Sequence, residues 1–265
     1  RSLSTAKMAA GTLPEITELR APPEWRAIEL ISDLHLAAGM PRTFDAFAGH
    51  LLHTNADAVL ILGDLFELFI GDDTRAQDFE ARCLSALRAA SQQRFVAFMA
   101  GNRDFLVGAA TLADCGVHRM HDPTLLSAFG HRWLLTHGDE LCLADTDYQA
   151  FRRQVRSPAW QSEFLARPID ERARLAQAIR QESQQRKDAA PSTEVWADVD
   201  PAAAAPRPPP NMSDRPPPRP LWSRTSVTVT SPTRTYATPR TMFTLSCYRV
   251  GAPYQDHRPA GPQTR

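Results

Sequence analysis

The chain has 265 residues, enough for one large domain or for one domain with a tail. Its 30 basic and 30 acidic residues cancel, so the net positive field of a protein that wraps duplex nucleic acid is absent and we expect no nucleic-acid partner. The longest apolar run, residues 58–70, is interrupted by Asp64 and Glu67 and is too short to span a bilayer.

The four cysteines are scattered singly along the chain. No two of them form a CxxC pair, which argues against a zinc knuckle and against a thioredoxin-like motif. Scattered thiols are typical of a reducing compartment. The chain does not open with a basic start followed by an apolar core, so we expect no signal peptide and a cytoplasmic protein.

The order of the predicted elements indicates an α/β domain over residues 26–199, preceded by a loose lead-in over residues 1–25. Short apolar strands are predicted at 27–31, 58–62, 95–99 and 132–135. Helices are predicted at 43–54, where apolar residues have helical spacing, and at 77–93, where Pro and Gly are absent. Alternation of strands and helices predicts a sheet covered by helices.

Residues 145–190 differ from the preceding part of the domain. They are rich in Arg, Gln, Glu and Ala, with interspersed aromatic residues, and predict two or three amphipathic helices. The breaks are expected near Ser157-Pro158 and near Arg167-Pro168. A helical insertion after a core strand is a candidate lid over an active site, and we call residues 145–190 the lid.

Residues 200–265 contain 14 of the 22 prolines and have neither Lys nor Glu. This composition cannot bury a core, so a disordered tail is expected. A proline-rich linker or interaction segment is one interpretation of the tail. The other is that it is not the natural end of the protein.

Four short polar motifs each follow one of the predicted strands. In chain order they are Asp33-x-His35, Gly63-Asp64, Gly101-Asn102-Arg103-Asp104 and His137-Gly138-Asp139. Sites in α/β proteins form at the carboxyl ends of strands, where loops from different strands converge. Each motif alone has an ordinary explanation as a turn or a solvated loop, but four of them in this order after four strands indicate one site.

The residue types of this set favour hard divalent metals, because carboxylate, imidazole and amide oxygen are their usual ligands. Asp33 and His35 are predicted to hold one metal, and Asn102 and His137 a second. Asp64 is predicted to bridge them. A water held between the metals at Asp64 would be the nucleophile toward phosphorus, and no protein general acid is identified.

With these motifs the chain resembles the calcineurin-like metallophosphoesterase superfamily, and within it the UDP-2,3-diacylglucosamine hydrolase family of lipid A biosynthesis. Three further features carry the second resemblance: Gly63-Asp64-Leu65-Phe66-Glu67, Arg103 where most of the superfamily has histidine, and the run from His137 to Cys142 followed by Asp145 and Tyr148. An arginine cannot act as a general acid at neutral pH, but it binds phosphate bidentately. The resemblance covers roughly residues 27–200.

This resemblance implies a sheet sandwich flanked by helices, with the helical lid, and two Mn²⁺ per subunit. The implied reaction is attack of water on the α-phosphorus of UDP-2,3-diacylglucosamine, giving UMP and 2,3-diacylglucosamine 1-phosphate. Asn102 and Arg103 would contact the substrate phosphate and Asp145 the glucosamine. Tyr148, Ser183 and Lys187 would be further substrate-binding residues. A lipid substrate implies peripheral contact with the cytoplasmic face of the inner membrane; the oligomeric state is unknown.

The chain departs from the family after about residue 194. The Gly-His-x-His motif that supplies one imidazole to each metal is absent, and His257 is the only histidine after His137. A reading-frame shift near residues 192–200 is our hypothesis for this change. It implies missing strands, an uncovered sheet edge and poor or absent activity.

Two other functions stay open at the level of sequence. The first is that of a metallophosphoesterase for another nucleotide or phosphodiester. The second is that of a non-catalytic binding module with a proline-rich tail. A panel of substrates separates the first from the family reaction, and a specific partner for residues 200–225 would favour the second.

Overall fold

The computed structural model describes residues 17–189, 219–220, 236–238, 241–243 and 246–251. The strands before the lid are β1 (Thr17–Arg20), β2 (Ala27–Ser32), β3 (Ala58–Leu62), β4 (Phe95–Met99), β5 (His118–Met120), β6 (Thr124–Ala128) and β7 (His131–Leu135). The helices are α1 (Pro41–His53), α2 (Asp78–Ser91), α3 (Ala109–Cys115), α4 (Thr146–Val155), α5 (Pro158–Leu165) and α6 (Ile169–Ala189). The late strands are β8 (Arg219–Pro220), β9 (Tyr236–Thr238), β10 (Thr241–Phe243) and β11 (Ser246–Gly251).

The main sheet has the strand order β11-β2-β3-β4-β5, and β2 to β5 run parallel. Their carboxyl ends therefore lie at one edge of the sheet, where three of the four predicted motifs begin. The sequence-predicted strands 58–62 and 95–99 coincide with β3 and β4.

Strands β3 and β4 are apolar on both faces because each face belongs to a different core, and β2 differs from them only in its buried Glu29 and the terminal Ser32. In β3, Val59 and Ile61 pack in a cluster with residues of α1, α2 and α3, whereas Ala58 and Leu60 face the second sheet. Successive side chains of a strand point to opposite faces, so one apolar run supplies both cores. This explains why β2, β3 and β4 show no polar alternation.

The second sheet has the order β1-β6-β7-β8 and packs on the main sheet through Leu126, Trp133 and Leu135. Two sequence predictions are corrected by it. Residues 17–20 form a strand parallel to β6, so this part of the predicted lead-in is ordered. The predicted strand 132–135 lies in the second sheet, antiparallel to β6, and not beside the strands that carry the other motifs.

The lid consists of three helices, α4, α5 and α6, with breaks at the two Pro-containing sites that the sequence predicts. Asp145 caps α4 by accepting a hydrogen bond from the main-chain N–H of Tyr148 at 2.9 Å. Ser157 caps α5 in the same way, immediately before Pro158 at the first helical position. Polar caps and proline together define where each lid helix begins.

The described part of the segment 200–265 is not without structure. Its strand β11 pairs antiparallel with β2 from Ser246↔Ser32 to Gly251↔Ala27, so the edge of β2 that we expected to be uncovered is paired. Strand β8 pairs with β7, and β9 pairs with β10. These short strands are the described part of the predicted tail, and the rest of it lies outside the described residues.

Candidate metal centre and lid

The loops after β2 and β3 bring three candidate ligands together. One ligand atom from each of Asp33, His35 and Asp64 lies within 4.8 Å of the other two. All three residues have positive φ, at 56°, 49° and 54°. The loops are joined by main-chain hydrogen bonds, among them the His35 N–H to the Asp64 carbonyl at 2.9 Å. The sequence prediction that these two motifs converge is therefore consistent with the structure.

Asp64 lies between two imidazoles. Its Oδ2 is 3.7 Å from His35 Nε2, and its Oδ1 is 3.7 Å from His137 Nε2. The main-chain N–H of Arg103 donates to Oδ1 at 2.9 Å. Burial raises the pKa of Asp64, and the neighbouring His137 opposes this effect. A buried carboxylate with one histidine nitrogen beside each oxygen is a candidate metal ligand.

His137 approaches this carboxylate from the second sheet. Its Nδ1 lies 2.9 Å from the carbonyl of Leu62, and because a carbonyl only accepts, Nδ1 carries the proton. The Nε2 lone pair is then directed to the site, as is usual for a histidine that binds a metal. The approach depends on Gly63, which has a φ of 91° and where a Cβ atom would lie 2.5 Å from His137 Nδ1.

Asn102 places its amide against the same carboxylate. Its side-chain nitrogen faces Asp64 and donates to Oδ1 at 3.0 Å and to Oδ2 at 2.6 Å. This contact places Asn102 beside the carboxylate that lies between the two imidazoles.

The donor set fits divalent cations. Asp33, His35, Asp64, Asn102 and His137 contribute the carboxylate, imidazole and amide groups that hard and borderline metals prefer. We call these five residues the ligand cluster.

Asp104 supports the ligand cluster from below, a role that sequence analysis did not assign to it. Its carboxylate is fully buried and accepts four main-chain N–H groups at 2.8 to 3.3 Å, those of Asp64, Leu65, Phe66 and Gly101. Burial and the nearby Asp64 raise its pKa to about 6, against the N–H donors. The signal in the sequence that could have identified Asp104 is an acidic residue in a tight loop, where main-chain N–H groups need an acceptor outside a strand.

Asp139 connects the lid to the second sheet. Its Oδ2 accepts from the Tyr148 hydroxyl at 2.7 Å and from Arg152 Nε at 2.9 Å. Burial works against ionisation, but these two donors hold the pKa of Asp139 below its ordinary value. Arg156, at the end of α4, donates to the Gly101 carbonyl at 2.9 Å. The start of the lid is thus fixed to the loop that carries Asn102.

Arg172 anchors α6 to the core. Its side chain is 1% exposed and donates to the carbonyl of Ile70 at 2.5 Å and to Asp73 Oδ1 at 2.9 Å. Gly71 has a φ of 134°, and a Cβ atom there would overlap the guanidinium. The chain can therefore wrap this buried cation only with glycine at position 71.

A cavity of about 540 Å³ lies beneath the lid, and from the ligand cluster its wall includes Asn102. Polar groups of its wall include Asn102, Arg103, Arg156 and Arg180. The apolar part of the wall includes Ile70, Phe105, Leu106, Trp160, Phe164, Ala176 and Ile179. Volume and lining are typical of a pocket for a ligand with both charged and apolar parts.

The structure places the predicted substrate-binding residues in different settings. Asn102, Arg103, Asp145 and Tyr148 all line the cavity. The Tyr148 hydroxyl is already engaged by Asp139, whereas Arg103 Nε is buried without a partner. Ser183 and Lys187 belong to α6, but their side chains lie outside the described part of the chain. The contacts of Arg172 and Arg180 were not predicted, because in the sequence both residues look like ordinary charges on a solvated helix face.

Comparison with known proteins gives the family. No protein-family model matches the chain. It is 45% identical over 179 residues to the UDP-2,3-diacylglucosamine hydrolase of Bordetella pertussis (strain Tohama I), covering 66% of this chain and 68% of that protein. The chain belongs to the UDP-2,3-diacylglucosamine hydrolase family.

The members from Xanthomonas are matched over a shorter part. The UDP-2,3-diacylglucosamine hydrolase of Xanthomonas oryzae pv. oryzae (strain PXO99A) is 46% identical over 158 residues, covering 59% of this chain and 64% of that protein. The chain thus matches a little under two thirds of the length of this relative. Solved structures with partial similarity include YfcE, a phosphoesterase from E. coli, at 19% identity and a TM-score of 0.27, covering 42% of this chain and 57% of that one.

None of the helices within residues 17–189 combines the length and the apolar character that crossing a membrane requires. The longest of them, α6, has 21 residues and carries acidic and basic side chains along its length. Peripheral contact with a membrane therefore stays a prediction.

Proposed function

We propose that this family member hydrolyses the pyrophosphate bond of UDP-2,3-diacylglucosamine with two bound Mn²⁺, giving UMP and 2,3-diacylglucosamine 1-phosphate. The observation that carries the proposal is the cavity beneath the lid, whose wall joins Asn102 and Arg103 to the apolar side chains of the lid helices. Its polar wall suits a pyrophosphate, and its apolar wall suits acyl chains. The names of the relatives from Bordetella and Xanthomonas point to the same substrate.

The five residues of the ligand cluster would hold the metals, with Asp64 shared between them. When bound, such ions supply Lewis-acid activation of water and of phosphate oxygens. The residues of this chain hold and orient the substrate. Arg103 has a buried Nε without a partner and lies beside Asp64, so its guanidinium is available to phosphate oxygens.

A general acid is not required for this bond. The leaving group is a phosphate monoester, whose last ionisation lies near pH 6, so it departs as an anion at neutral pH. An arginine that binds the departing charge is then sufficient where other phosphoesterases need a proton donor. Arg103 at the position after Asn102 supports cleavage of an anhydride over cleavage of an alkyl ester.

We expect turnover to be lower than in relatives that contain the Gly-His-x-His motif. The ligand cluster supplies two imidazoles, His35 and His137, and the family pattern adds one more to each metal. Loss of groups that only orient a ligand costs about 10- to 100-fold in metal affinity or activity, and loss of a ligand should cost more. The reaction itself should stay the same.

The test is release of UMP from UDP-2,3-diacylglucosamine by the full chain with Mn²⁺, beside the Bordetella pertussis relative as positive control. Asp64→Ala should abolish release, whereas Asp45→Ala, an exposed aspartate on α1, should leave it unchanged. UDP-N-acetylglucosamine lacks the acyl chains and should be cleaved far more slowly. Equal cleavage of both substrates would favour a phosphoesterase for other nucleotides, and no metal-dependent cleavage of either would contradict the proposal.

Contact with a membrane surface is a second part of the proposal. Large apolar side chains are exposed in the lid region at Leu143, Leu165 and Ile179, and α6 carries exposed arginines, including Arg174. Apolar and basic side chains together favour anionic bilayers. Co-sedimentation with phosphatidylglycerol vesicles should exceed that with phosphatidylcholine vesicles, and Leu165→Glu should reduce it. Equal recovery with both kinds of vesicle would contradict this part.

A further inference from the structure

Glu67 connects the ligand cluster to the lid. Its Oε2 lies 2.7 Å from His35 Nδ1, and its Oε1 lies 2.6 Å from Arg180 Nη2 on α6. The main chain of Glu67 is fixed as well, because its N–H donates to the Leu36 carbonyl at 3.0 Å. The carboxylate is 13% exposed. One partly buried side chain thus contacts a candidate metal ligand with one oxygen and the lid with the other.

We propose that Glu67 is a positioning residue that couples metal occupancy at His35 to the docking of α6. This inference rests on the proposed function only in that the ligand cluster binds a divalent metal. It does not depend on the substrate. The residue that the lid contributes to the coupling is Arg180.

The two ring nitrogens of His35 have different surroundings. Nε2 faces Asp64 and is the nitrogen available to a metal, so Nδ1 is the atom through which the protein can fix the ring. Nδ1 is buried and lies 2.7 Å from Glu67 Oε2, although the two groups are not aligned as a hydrogen bond. Glu67 at Nδ1 and a metal at Nε2 would therefore together fix the orientation of the imidazole ring.

The lid enters because Arg180 holds the other oxygen of the same carboxylate. When α6 is docked, Glu67 is confined between Arg180 and His35 and cannot turn away from the ring. When α6 is undocked, Oε1 faces water and the carboxylate gains alternative rotamers. Fixing His35 in advance should favour metal binding, since less ordering is left for the binding step.

The positive charge of Arg180 acts in the opposite direction, because it repels a cation. Its side chain is 51% exposed, so water and salt screen that repulsion. The positioning effect is local and is not screened. We therefore expect the net coupling to be favourable, with the docked lid raising metal affinity.

The second anchor of α6 allows the coupling to be separated from simple attachment. Arg172 binds Ile70 and Asp73, and none of its contacts in the described structure is with a residue of the ligand cluster. The amino-terminal half of α6 should therefore stay attached whether or not metal is present. Only the part around Arg180 should respond to metal.

The first experiment is hydrogen–deuterium exchange of the full chain with and without Mn²⁺ alone. Added Mn²⁺ should slow exchange in the peptide around Arg180 but not in the peptide around Arg172. Arg180→Gln should remove this response, and Arg180→Lys should restore part of it. The matched control is Arg174→Gln, an exposed arginine of the same helix whose Nε bonds only to the Asp170 carbonyl among the described contacts.

The second experiment is Mn²⁺ titration by calorimetry, with no substrate present. Coupling is reciprocal, so Arg180→Gln should weaken Mn²⁺ binding severalfold, by the same factor by which metal strengthens docking. Glu67→Gln should weaken it by about 10- to 100-fold, the usual effect of removing a group that orients a metal-binding histidine. Arg174→Gln should leave the affinity unchanged.

The outcomes separate this inference from the proposed function. Wild-type Mn²⁺ binding that is unaffected by Arg180→Gln and by Glu67→Gln would overturn the coupling and leave the metal site intact. Absence of Mn²⁺ binding to the wild-type chain would overturn both proposals. Loss of Mn²⁺-dependent protection together with loss of affinity in Arg180→Gln, and not in Arg174→Gln, is the expected result.

Discussion

Two aspartates near the site accept main-chain N–H groups, and burial separates their expected contributions to stability. Asp104 is 0% exposed and serves four donors from two loops, whereas Asp145 is exposed and serves one donor at the start of α4. An unpaired buried donor costs about 1–3 kcal/mol, and an exposed donor turns to water instead. The same residue type is thus structural in one place and a simple helix cap in the other.

Asp104→Ala should lower the free energy of unfolding by about 3–5 kcal/mol, because it leaves several buried donors unpaired. Asp145→Ala should lower it by about 1 kcal/mol, the usual cost of losing a helix cap. Urea unfolding followed by far-UV circular dichroism measures both. Asp104→Asn keeps one acceptor oxygen, so its loss in unfolding free energy should lie between those of the two alanine variants. Similar losses for Asp104→Ala and Asp145→Ala would contradict the role given to Asp104.

Asp139 predicts a pH dependence of stability. Arg152 and Tyr148 hold its pKa below the ordinary carboxyl value of about 3.9. A lowered folded-state pKa means that the stabilisation is complete above the unfolded-state pKa and is lost as the pH falls through the folded-state pKa. The difference in unfolding free energy between the wild type and Asp139→Asn should therefore shrink below about pH 4. A difference that stays constant from pH 6 to pH 3 would show that the carboxylate charge contributes nothing.

The lid as an element depends on a few polar anchors to the core as well as on its apolar contacts. Arg172 is the buried anchor, and Gly71 provides the room for its guanidinium. An alanine at position 71 would meet Arg172 and would also occupy a φ region that side chains rarely adopt. Both effects act at the same point of contact between α6 and the loop after β3.

Gly71→Ala should therefore loosen the lid and leave the sheets intact. The strain expected of such a backbone position is about 1–3 kcal/mol. Limited trypsin digestion should cut within residues 165–180 faster in this variant than in the wild type. Gly39→Ala is the control, because nothing lies within 4 Å of a Cβ atom at that position. Equal cleavage rates for the two variants would show that Arg172 is not the anchor.

The elements that sequence patterns predict well are those with one dominant signal. Continuous apolar runs located β3 and β4, and Pro158 and Pro168 located the breaks in the lid. The missed elements, β1 among them, are short, and their pairing partners are distant in sequence; β1 pairs with β6 about a hundred residues later. Local patterns cannot specify such contacts. The convergence of Asp33, His35 and Asp64 could be predicted from motifs that follow strands. The contacts of Asp104 and Glu67 join separate loops and have no local signal.

At the scale of the whole molecule, the main surprise is the pairing of β11 with β2. The composition of residues 200–265 predicts no core, yet Ser246–Gly251 contains Tyr248 and Val250, which favour strands, and no proline. A strand at an open sheet edge needs main-chain hydrogen bonds more than it needs a core of its own. Overall composition therefore hid a segment that is locally suited to pairing.

This pairing predicts a specific exchange pattern. Successive N–H groups of a strand point to opposite sides, so replacing both Cys247 and Tyr248 with proline must remove one N–H group that faces β2. Amides of β2 should then exchange faster, whereas amides of β4 should not change. Proline at positions 260 and 261, outside the described strands, serves as control. Unchanged exchange in β2 would show that β11 does not cover this edge in solution.

The backbone at Asp33, His35 and Asp64 has a consequence for directed evolution. Each residue has a left-handed conformation, which costs a side-chain-bearing residue about 1–2 kcal/mol and costs glycine almost nothing. Glycine at position 33 or 35 should raise the melting temperature while it removes a candidate ligand, whereas glycine at position 64 would also leave the main-chain N–H of Arg103 without its acceptor. A screen that selects only for heat resistance would therefore accumulate inactive variants here, and the activity and thermostability of this protein should be selected together.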